Sequence, residues 1–245
     1  MGPRGAGKTT IARHLADAWG VPMVDTDDLC LARFNATSVR TVWQTFGEPA
    51  WRAAEGDVIE SLLASPEHNL GHEHAGATRR TASPSVGNAS GRLEVRQVIA
   101  LGGGAPTVER AAHAIRAAQA ARRAFVVYLR ATPEVLAARL TGETADRPPL
   151  LSKSGHPPVK STVTGPNKNR EGTTPQPHAP AVVPDEPALQ EVAAVLALRD
   201  PLYRDLADAV INTGDRSVPE IARQIVKVFG AGHRGDSCPN AGRNC

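Results

Sequence analysis

The chain has 245 residues, of which 41% are hydrophobic and only 4% aromatic, so one α/β domain with an aliphatic core fits its length. A formal net charge of +3 without a dense basic block argues against nucleic acid as a partner. Three cysteines without a C-x-x-C pair argue against a zinc site or a disulfide framework, and no apolar run is long enough for a membrane span. We therefore expect a cytoplasmic protein that does not act on membranes.

Helical and strand patterns alternate along the chain. Ile11, Leu15 and Trp19 recur every four positions and predict a first helix that ends near Trp19. Short apolar runs predict buried strands over residues 21–24, 98–101, 125–129 and 209–212. Helical patterns cover residues 37–46, 49–63, 108–121, 133–140, 186–198 and 218–229. This alternation predicts a three-layer α/β/α fold around a parallel sheet that is buried on both faces.

Two polar segments interrupt the pattern. Residues 66–92 and about 152–184 are rich in Pro, Gly, Asn, Ser or Thr and show no apolar periodicity, which is typical of solvated inserts. We therefore predict a single domain over residues 1–230 that carries both inserts. We expect a disordered tail over residues 231–245.

The most specific motif lies at the start of the chain. Residues 2–9 read Gly-Pro-Arg-Gly-Ala-Gly-Lys-Thr and match the phosphate-binding loop G-x-x-x-x-G-K-[ST] at every position. In such a loop the backbone N–H groups and the helix N-terminus hold phosphates, Lys8 reaches the β- and γ-phosphates, and Thr9 binds Mg²⁺. The alternative, a glycine-rich turn before a helix, is disfavoured because the helical pattern begins directly after the motif.

The strand that normally precedes this loop is absent, because the sequence begins at Met1. A central strand buries four or five apolar side chains, each contributing about 1.5–3 kcal/mol. Their sum rivals the whole stability of a domain, about 5–15 kcal/mol. We therefore expect the native start to lie upstream, the alternative being that another segment fills the gap.

Several polar residues follow the predicted strands. Asp25 and Asp27 come after the strand at 21–24, where the ligand crevice of an open α/β sheet lies, so one could support Mg²⁺ and the other an acceptor hydroxyl. The alternative is a helix N-cap formed by Thr26 or Asp27. Residues 102–104, three glycines directly after a strand, allow a ligand to approach the backbone closely.

Three arginines are candidates for binding anions. Arg52 lies one helical turn before Glu55 and suits bidentate carboxylate binding, although an exposed surface pair is the alternative. Arg147 opens the second polar segment, where a mobile arginine can close over phosphates. Arg199 precedes Pro201, so it could also be a cation at the end of a helix that the proline stops.

Taken in order, these segments resemble the shikimate kinase family. The matching segments are residues 2–10, 25–27, 101–105, 147–151 and 199–203, together with Arg52 and Glu55. Only the phosphate loop is specific by itself, but the order and the placement of the set are specific together. The resemblance covers most of the chain outside the inserts and the tail.

The resemblance implies ATP-dependent phosphorylation of the 3-hydroxyl of shikimate, with ATP and Mg²⁺ as cofactors, in the biosynthesis of aromatic amino acids. It implies Asp27, Lys8 and Arg147 as catalytic residues and Asp27, Arg52, Gly103 and Arg199 as the shikimate-binding set. It implies Gly5, Ala6, Gly7, Lys8, Thr9, Thr10, Arg147 and Arg216 as nucleotide-binding residues, with Arg139 a weaker candidate. Thr9 and Asp25 would support the metal, and we expect a monomer.

Two rival functions stay open at this point. The first is another small-molecule kinase with a phosphate loop, such as one for gluconate. The second is a catalytically impaired, kinase-like module that binds a ligand. The absent strand and the inserts favour the second rival, whereas the intact Lys8, Thr9, Asp27 and Arg147 oppose it.

Overall fold

A computed structural model describes residues 1–64, 95–140 and 186–232. Four strands and seven α-helices alternate within these ranges. In chain order they are α1 (Lys8–Trp19), β1 (Met23–Asp25), α2 (Thr26–Arg33), α3 (Val39–Ala64), β2 (Val98–Ala100), α4 (Glu109–Ala120), β3 (Val127–Arg130), α5 (Pro133–Leu140), α6 (Glu186–Leu206), β4 (Ala209–Asn212) and α7 (Val218–Gly232). A short 3₁₀ helix, Ala105–Thr107, precedes α4. The two polar inserts and the tail after Gly232 lie outside the described residues.

The strands form two parallel pairs. Strand β1 pairs with β2 so that Asp25 lies opposite Ala100. Strand β3 pairs with β4 so that Arg130 lies opposite Asn212. Met1 lies on the edge of β3 opposite β4: its amino group donates to the Val127 carbonyl at 2.7 Å, and its own carbonyl accepts from the Leu129 N–H at 2.9 Å.

Helices cover both faces of β3, as the three-layer prediction requires. Successive residues of a strand point to opposite faces. Leu129 packs with Ile11, Leu15 and other side chains of α1, α5, α6 and α7, whereas its neighbour Tyr128 packs with side chains of α3, α4 and α6. A third cluster joins α2 to α3. The predicted α/β fold is therefore confirmed, with helices on both sides of the strands.

Several element boundaries differ from the sequence-based prediction, and one helix was not predicted. The first strand begins at Met23, not at residue 21, because the Val21 N–H closes the end of α1 by bonding to the Ala16 carbonyl. Helix α2 was not predicted as an element; only a possible helix N-cap at Thr26 or Asp27 was considered. Helix α6 continues past Pro201 to Leu206, so this proline does not stop it. Helix α7 includes residues 231 and 232, which were assigned to the tail.

The two predicted helices over residues 37–46 and 49–63 are the two halves of α3, which bends at Gly47. The backbone of Gly47 has φ 83° and ψ 162°, outside the helical region. A left-handed φ of this kind favours glycine. The bend sets the direction of the second half, which carries Arg52 and Glu55.

None of the helices in these three ranges combines the length and apolarity that crossing a membrane requires.

Candidate active site

The phosphate loop connects Met1, which pairs with β3, to α1. Gly5 and Gly7 both have φ 81°, a conformation that residues with a side chain rarely adopt, and Gly7 is the N-cap of α1. The Lys8 ammonium donates to the Pro3 carbonyl at 2.9 Å, so it lies across the loop. Ala6 is fully buried, whereas Thr9 and Thr10 are exposed. The glycine conformations and the start of α1 are therefore those expected of a loop that binds anions.

Thr9 and Asp25 link this loop to the first strand. The Thr9 hydroxyl donates to Asp25 Oδ2 at 2.8 Å. The other oxygen of Asp25 accepts the Asp27 N–H at 3.0 Å and caps α2. The N-cap alternative is thus realised, but by Asp25 and not by Thr26 or Asp27. The Asp25 carboxylate therefore bonds to the phosphate loop and also caps α2. A role in supporting Mg²⁺ and a role as a helix N-cap are thus compatible for this residue.

Thr26 was predicted only as a possible helix cap, but it links the Asp25–Asp27 turn to the triple glycine. It is fully buried, donates to the Ala100 carbonyl at 3.3 Å and accepts the Gly102 N–H at 2.8 Å. These bonds fix the first glycine of the triple-glycine segment beside the Asp25–Asp27 turn. No sequence signal distinguished Thr26, because its partners are more than seventy residues away.

Asp27 and Glu55 converge on Gly102. A methyl group built at Gly102 would lie 2.5 Å from Asp27 Oδ1 and 2.7 Å from Glu55 Oε1, so only glycine leaves room for both carboxylates. Glu55 is almost completely buried. Burial raises the pKa of Glu55, and the nearby Asp27 adds to this, while Arg52 opposes it. The carboxylates of Asp27 and Glu55 therefore both lie beside Gly102, just after the ends of β1 and β2.

Arg52 is held between two carboxylates. Its Nη1 donates to Glu55 Oε2 at 2.6 Å, and Nε and Nη2 donate to Glu48 Oε1 at 3.1 and 2.9 Å. Its guanidinium carbon lies 5.5 Å from the centre of the Trp43 ring. Although burial disfavours its charge, the two carboxylates raise the pKa of Arg52. The pair of Arg52 and Glu55 is therefore largely buried, and the alternative of an exposed surface pair is wrong. Glu48 was missed, although its i, i+4 spacing to Arg52 is a recognisable signal.

Arg199 reaches the same region from α6. Its Nη1 donates to the Gly103 carbonyl at 3.5 Å, and the Tyr203 hydroxyl donates to the same oxygen at 2.5 Å. Because α6 continues beyond Pro201, Arg199 lies within the helix and not at its C-terminus. The alternative role for Arg199, a cation at a helix end, is therefore wrong.

Two remaining nucleotide candidates, Arg139 and Arg216, lie within the described residues and are both associated with the segment after β4. Arg139 donates to the Gly5 carbonyl at 3.2 Å and to the Thr213 and Gly214 carbonyls at 2.7 and 3.0 Å, so it joins the phosphate loop to the segment after β4. Arg216 is exposed in that segment and donates to Gln224. Arg147 lies outside the described residues.

Thr9 and Asp25 offer hydroxyl and carboxylate oxygens, which are the ligands that Mg²⁺ prefers alongside water and phosphate. The described ranges contain no group of three or more His, Cys, Asp or Glu side chains that would hold a metal without other ligands. The donor set therefore fits Mg²⁺ carried with nucleotide phosphates, and not a metal cage built by the protein alone.

Comparisons with known proteins show which family this chain belongs to. The family model described as shikimate kinase matches residues 4–69 and 88–229. The chain is 31% identical to a shikimate kinase of Symbiobacterium thermophilum, over 96% of this chain and 97% of the relative. It is 28% identical to one of Rhodopirellula baltica, over 92% of this chain and 86% of that protein. The fold is similar to that of a solved shikimate kinase from Acinetobacter baumannii in complex with shikimate, with a TM-score of 0.61 and 23% identity over 94% of this chain and 90% of that one.

Proposed function

The chain belongs to the shikimate kinase family, and from this premise we propose that it transfers the γ-phosphoryl group of ATP to the 3-hydroxyl of shikimate. Family membership makes it a kinase with ATP as its phosphoryl donor. The product, shikimate 3-phosphate, would serve the biosynthesis of aromatic amino acids. We further propose that the enzyme acts as a monomer in the cytoplasm.

The nucleotide side of the reaction is assigned to the phosphate loop. The N–H groups of Gly5, Ala6 and Gly7 and the start of α1 hold the phosphates, with Thr10 beside them. Lys8 moves from the Pro3 carbonyl to the phosphates, where its charge stabilises the transferred group. Thr9 and Asp25 would hold Mg²⁺, which neutralises phosphate charge when it is bound. Arg139 is supported by its bonds to the loop, while Arg147 and Arg216 rest on the family resemblance.

The acceptor side is assigned to residues around the triple glycine. Asp27 orients the acceptor hydroxyl and takes its proton as the new P–O bond forms, while the bond from the γ-phosphorus to the bridging oxygen breaks and ADP leaves. Arg52 and Arg199 face the carboxylate of shikimate, and the backbone of Gly103 lies between them. Glu55 and Glu48 hold Arg52 in place. Phosphoryl transfer depends mainly on such positioning and charge neutralisation.

One observation carries the proposal: the triple glycine packs directly against the phosphate loop. A methyl group at Gly103 would lie 3.5 Å from the Gly2 carbonyl oxygen and 3.6 Å from the Arg4 nitrogen. The groups assigned to the two substrates are therefore neighbours, as direct transfer between them requires.

The proposal is tested by a coupled assay of ADP release with shikimate, gluconate and quinate as acceptors. We expect turnover with shikimate and far lower kcat/KM with the other two, since gluconate is acyclic and quinate carries an extra hydroxyl. Turnover with gluconate but not shikimate would replace the proposed substrate. Binding of shikimate in calorimetry without any turnover would indicate a ligand-binding module instead.

The substitution Lys8→Ala tests whether turnover comes from this site. It should lower kcat by about 10²-fold or more, because it removes a charge that acts on the transferred group. Lys227→Ala, at an exposed position on α7, is the matched control and should retain full activity. Equal activity of the two variants would contradict the assignment of the phosphate loop.

A further inference from the structure

Tyr203 lies in the last turns of α6, with its side chain fully buried. Its ring stacks on that of Tyr128, with 4.9 Å between the ring centres and 25° between the planes. Its hydroxyl also interacts with Arg199, one turn earlier in α6. It donates to the carbonyl of Gly103, a hundred residues away in the chain, at 2.5 Å.

Two guanidinium groups lie close to the peptide group between Gly103 and Gly104. On one side, the Gly103 carbonyl accepts from Arg199 Nη1 at 3.5 Å. On the other side, a methyl group at Gly104 would lie 1.7 Å from Arg52 Nη1, so the Arg52 guanidinium lies directly over the Gly104 Cα. The two glycines joined by this single peptide group therefore lie against both guanidinium groups.

We propose that Tyr203 is a positioning residue whose hydroxyl fixes the Gly103–Gly104 peptide group between Arg52 and Arg199, so that both guanidinium groups face one substrate carboxylate. The proposal rests on the proposed function, because that function supplies the carboxylate. Tyr203 itself touches no reacting atom. A segment of three glycines has no side chains to pack, so a fixed hydrogen bond is the means by which its backbone can be held.

Tyr128 supplies a matched comparison. It is as buried as Tyr203 and forms the other half of the ring stack, but its hydroxyl donates to Asp200 Oδ1 at 2.7 Å. Asp200 also accepts from Arg130 at 3.2 Å and from Arg204 at 2.5 Å. Removal of either hydroxyl leaves the ring stack intact. The two changes differ in that only Tyr203→Phe removes the hydroxyl that bonds to the Gly103 carbonyl.

The test compares Tyr203→Phe, Tyr128→Phe and the wild-type chain in steady-state kinetics. We expect Tyr203→Phe to raise the KM for shikimate about tenfold, as loss of a buried hydrogen bond allows, with the KM for ATP within about twofold of wild type. Tyr128→Phe should leave both KM values within about twofold.

A second measurement is independent of how much of a variant folds. The ratio of kcat/KM for shikimate to kcat/KM for its uncharged methyl ester reports recognition of the carboxylate alone, because the enzyme concentration cancels. We expect this ratio to be large for the wild type and for Tyr128→Phe, and about tenfold smaller for Tyr203→Phe.

The outcomes separate the two proposals. No turnover of shikimate by the wild type would overturn the proposed function and this inference with it. Wild-type turnover together with an unchanged ester ratio in Tyr203→Phe would overturn the inference alone. An equal fall of the ratio in both tyrosine variants would also overturn it, because the effect would then come from the ring stack and not from the bond to Gly103.

Discussion

The hydroxyl of Thr9 donates a hydrogen bond of 2.8 Å to Asp25, which ties the first turn of α1 to the end of β1. The same carboxylate caps α2 through the Asp27 N–H at 3.0 Å. A residue of the phosphate loop and a residue of the acceptor-side turn thus share one carboxylate, and the backbone that carries Asp27 is fixed relative to the loop.

This link predicts how Thr9 variants respond to magnesium. If Thr9 and Asp25 hold Mg²⁺, Thr9→Val should raise the Mg²⁺ concentration for half-maximal activity about tenfold, since valine keeps the shape but offers no oxygen. Thr9→Ser keeps the hydroxyl and is the control. Identical Mg²⁺ titrations for the valine and serine variants would contradict the metal assignment.

Asp27 should affect turnover far more than binding. Asp27→Asn keeps the size of the side chain but removes the proton acceptor, so we expect kcat to fall by about 10²–10⁴-fold. The dissociation constant of ATP, measured by calorimetry, should change by less than about threefold. A variant that keeps more than a third of the wild-type kcat would show that Asp27 is not the base.

Gly104→Ala should weaken shikimate binding more than it weakens the fold. The added methyl group meets the end of a flexible side chain, Arg52, which can move away but then leaves its pairing with Glu55. We expect the KM for shikimate to rise about tenfold or more while the melting temperature changes little.

Gly56→Ala is the contrasting variant for this prediction. Its methyl group would lie 3.2 Å from Val108, in the packing between α3 and α4 and away from the triple glycine. It should lower the melting temperature without changing the KM for shikimate. The prediction for Gly104 fails if Gly104→Ala and Gly56→Ala both change the KM for shikimate, or if both change only the melting temperature.

The raised pKa of Glu55 predicts a pH-dependent difference between wild type and Glu55→Gln. Burial raises the pKa of Glu55 above its usual 4.5, so the folded state binds this proton more tightly than the unfolded state does. Its contribution to stability is therefore fully present below pH 4.5 and is lost as the pH rises through the folded-state pKa.

Denaturant unfolding of the wild type and of Glu55→Gln between pH 4 and 8 tests this direction of change. The contributions of the other titratable groups cancel in the difference between the two free energies of unfolding. Glu55→Gln should gain stability relative to the wild type as the pH rises. The same variant should have a higher KM for shikimate, since Arg52 loses an ionic partner. A stability difference that moves in the opposite direction would contradict the argument.

Cys30 should be protected from alkylation in the folded protein. It is fully buried, and burial, together with the nearby Glu55 and Asp27, raises the pKa of its thiol to about 12. At pH 8 its reaction with iodoacetamide should be at least about a thousandfold slower than that of an unfolded control, since the thiolate is the reactive form. Peptide mass spectrometry with and without urea measures this, and rapid labelling without urea would contradict it.

Some of these relationships were predictable from the sequence and some were not. The pairing of Arg52 with Glu55 was predicted, because residues three apart on a helix share a face. The burial of this pair was not predicted, because it depends on Gly102 and Gly104, which lie against Glu55 and Arg52. The continuation of α6 through Pro201 was also missed, because tertiary packing of Tyr203 and Leu206 outweighs the local cost of one lost helical bond.

The sequence by itself determined the phosphate loop and the alternation of helices and strands. Both depend on residues within a few positions of one another, where backbone conformation and side-chain periodicity act directly. Only the tertiary structure decided how Thr26 holds Gly102, how two carboxylates meet at that glycine, and how Tyr203 reaches Gly103. These contacts join residues tens of positions apart, and their distances are set by how the sheet and the helices pack together.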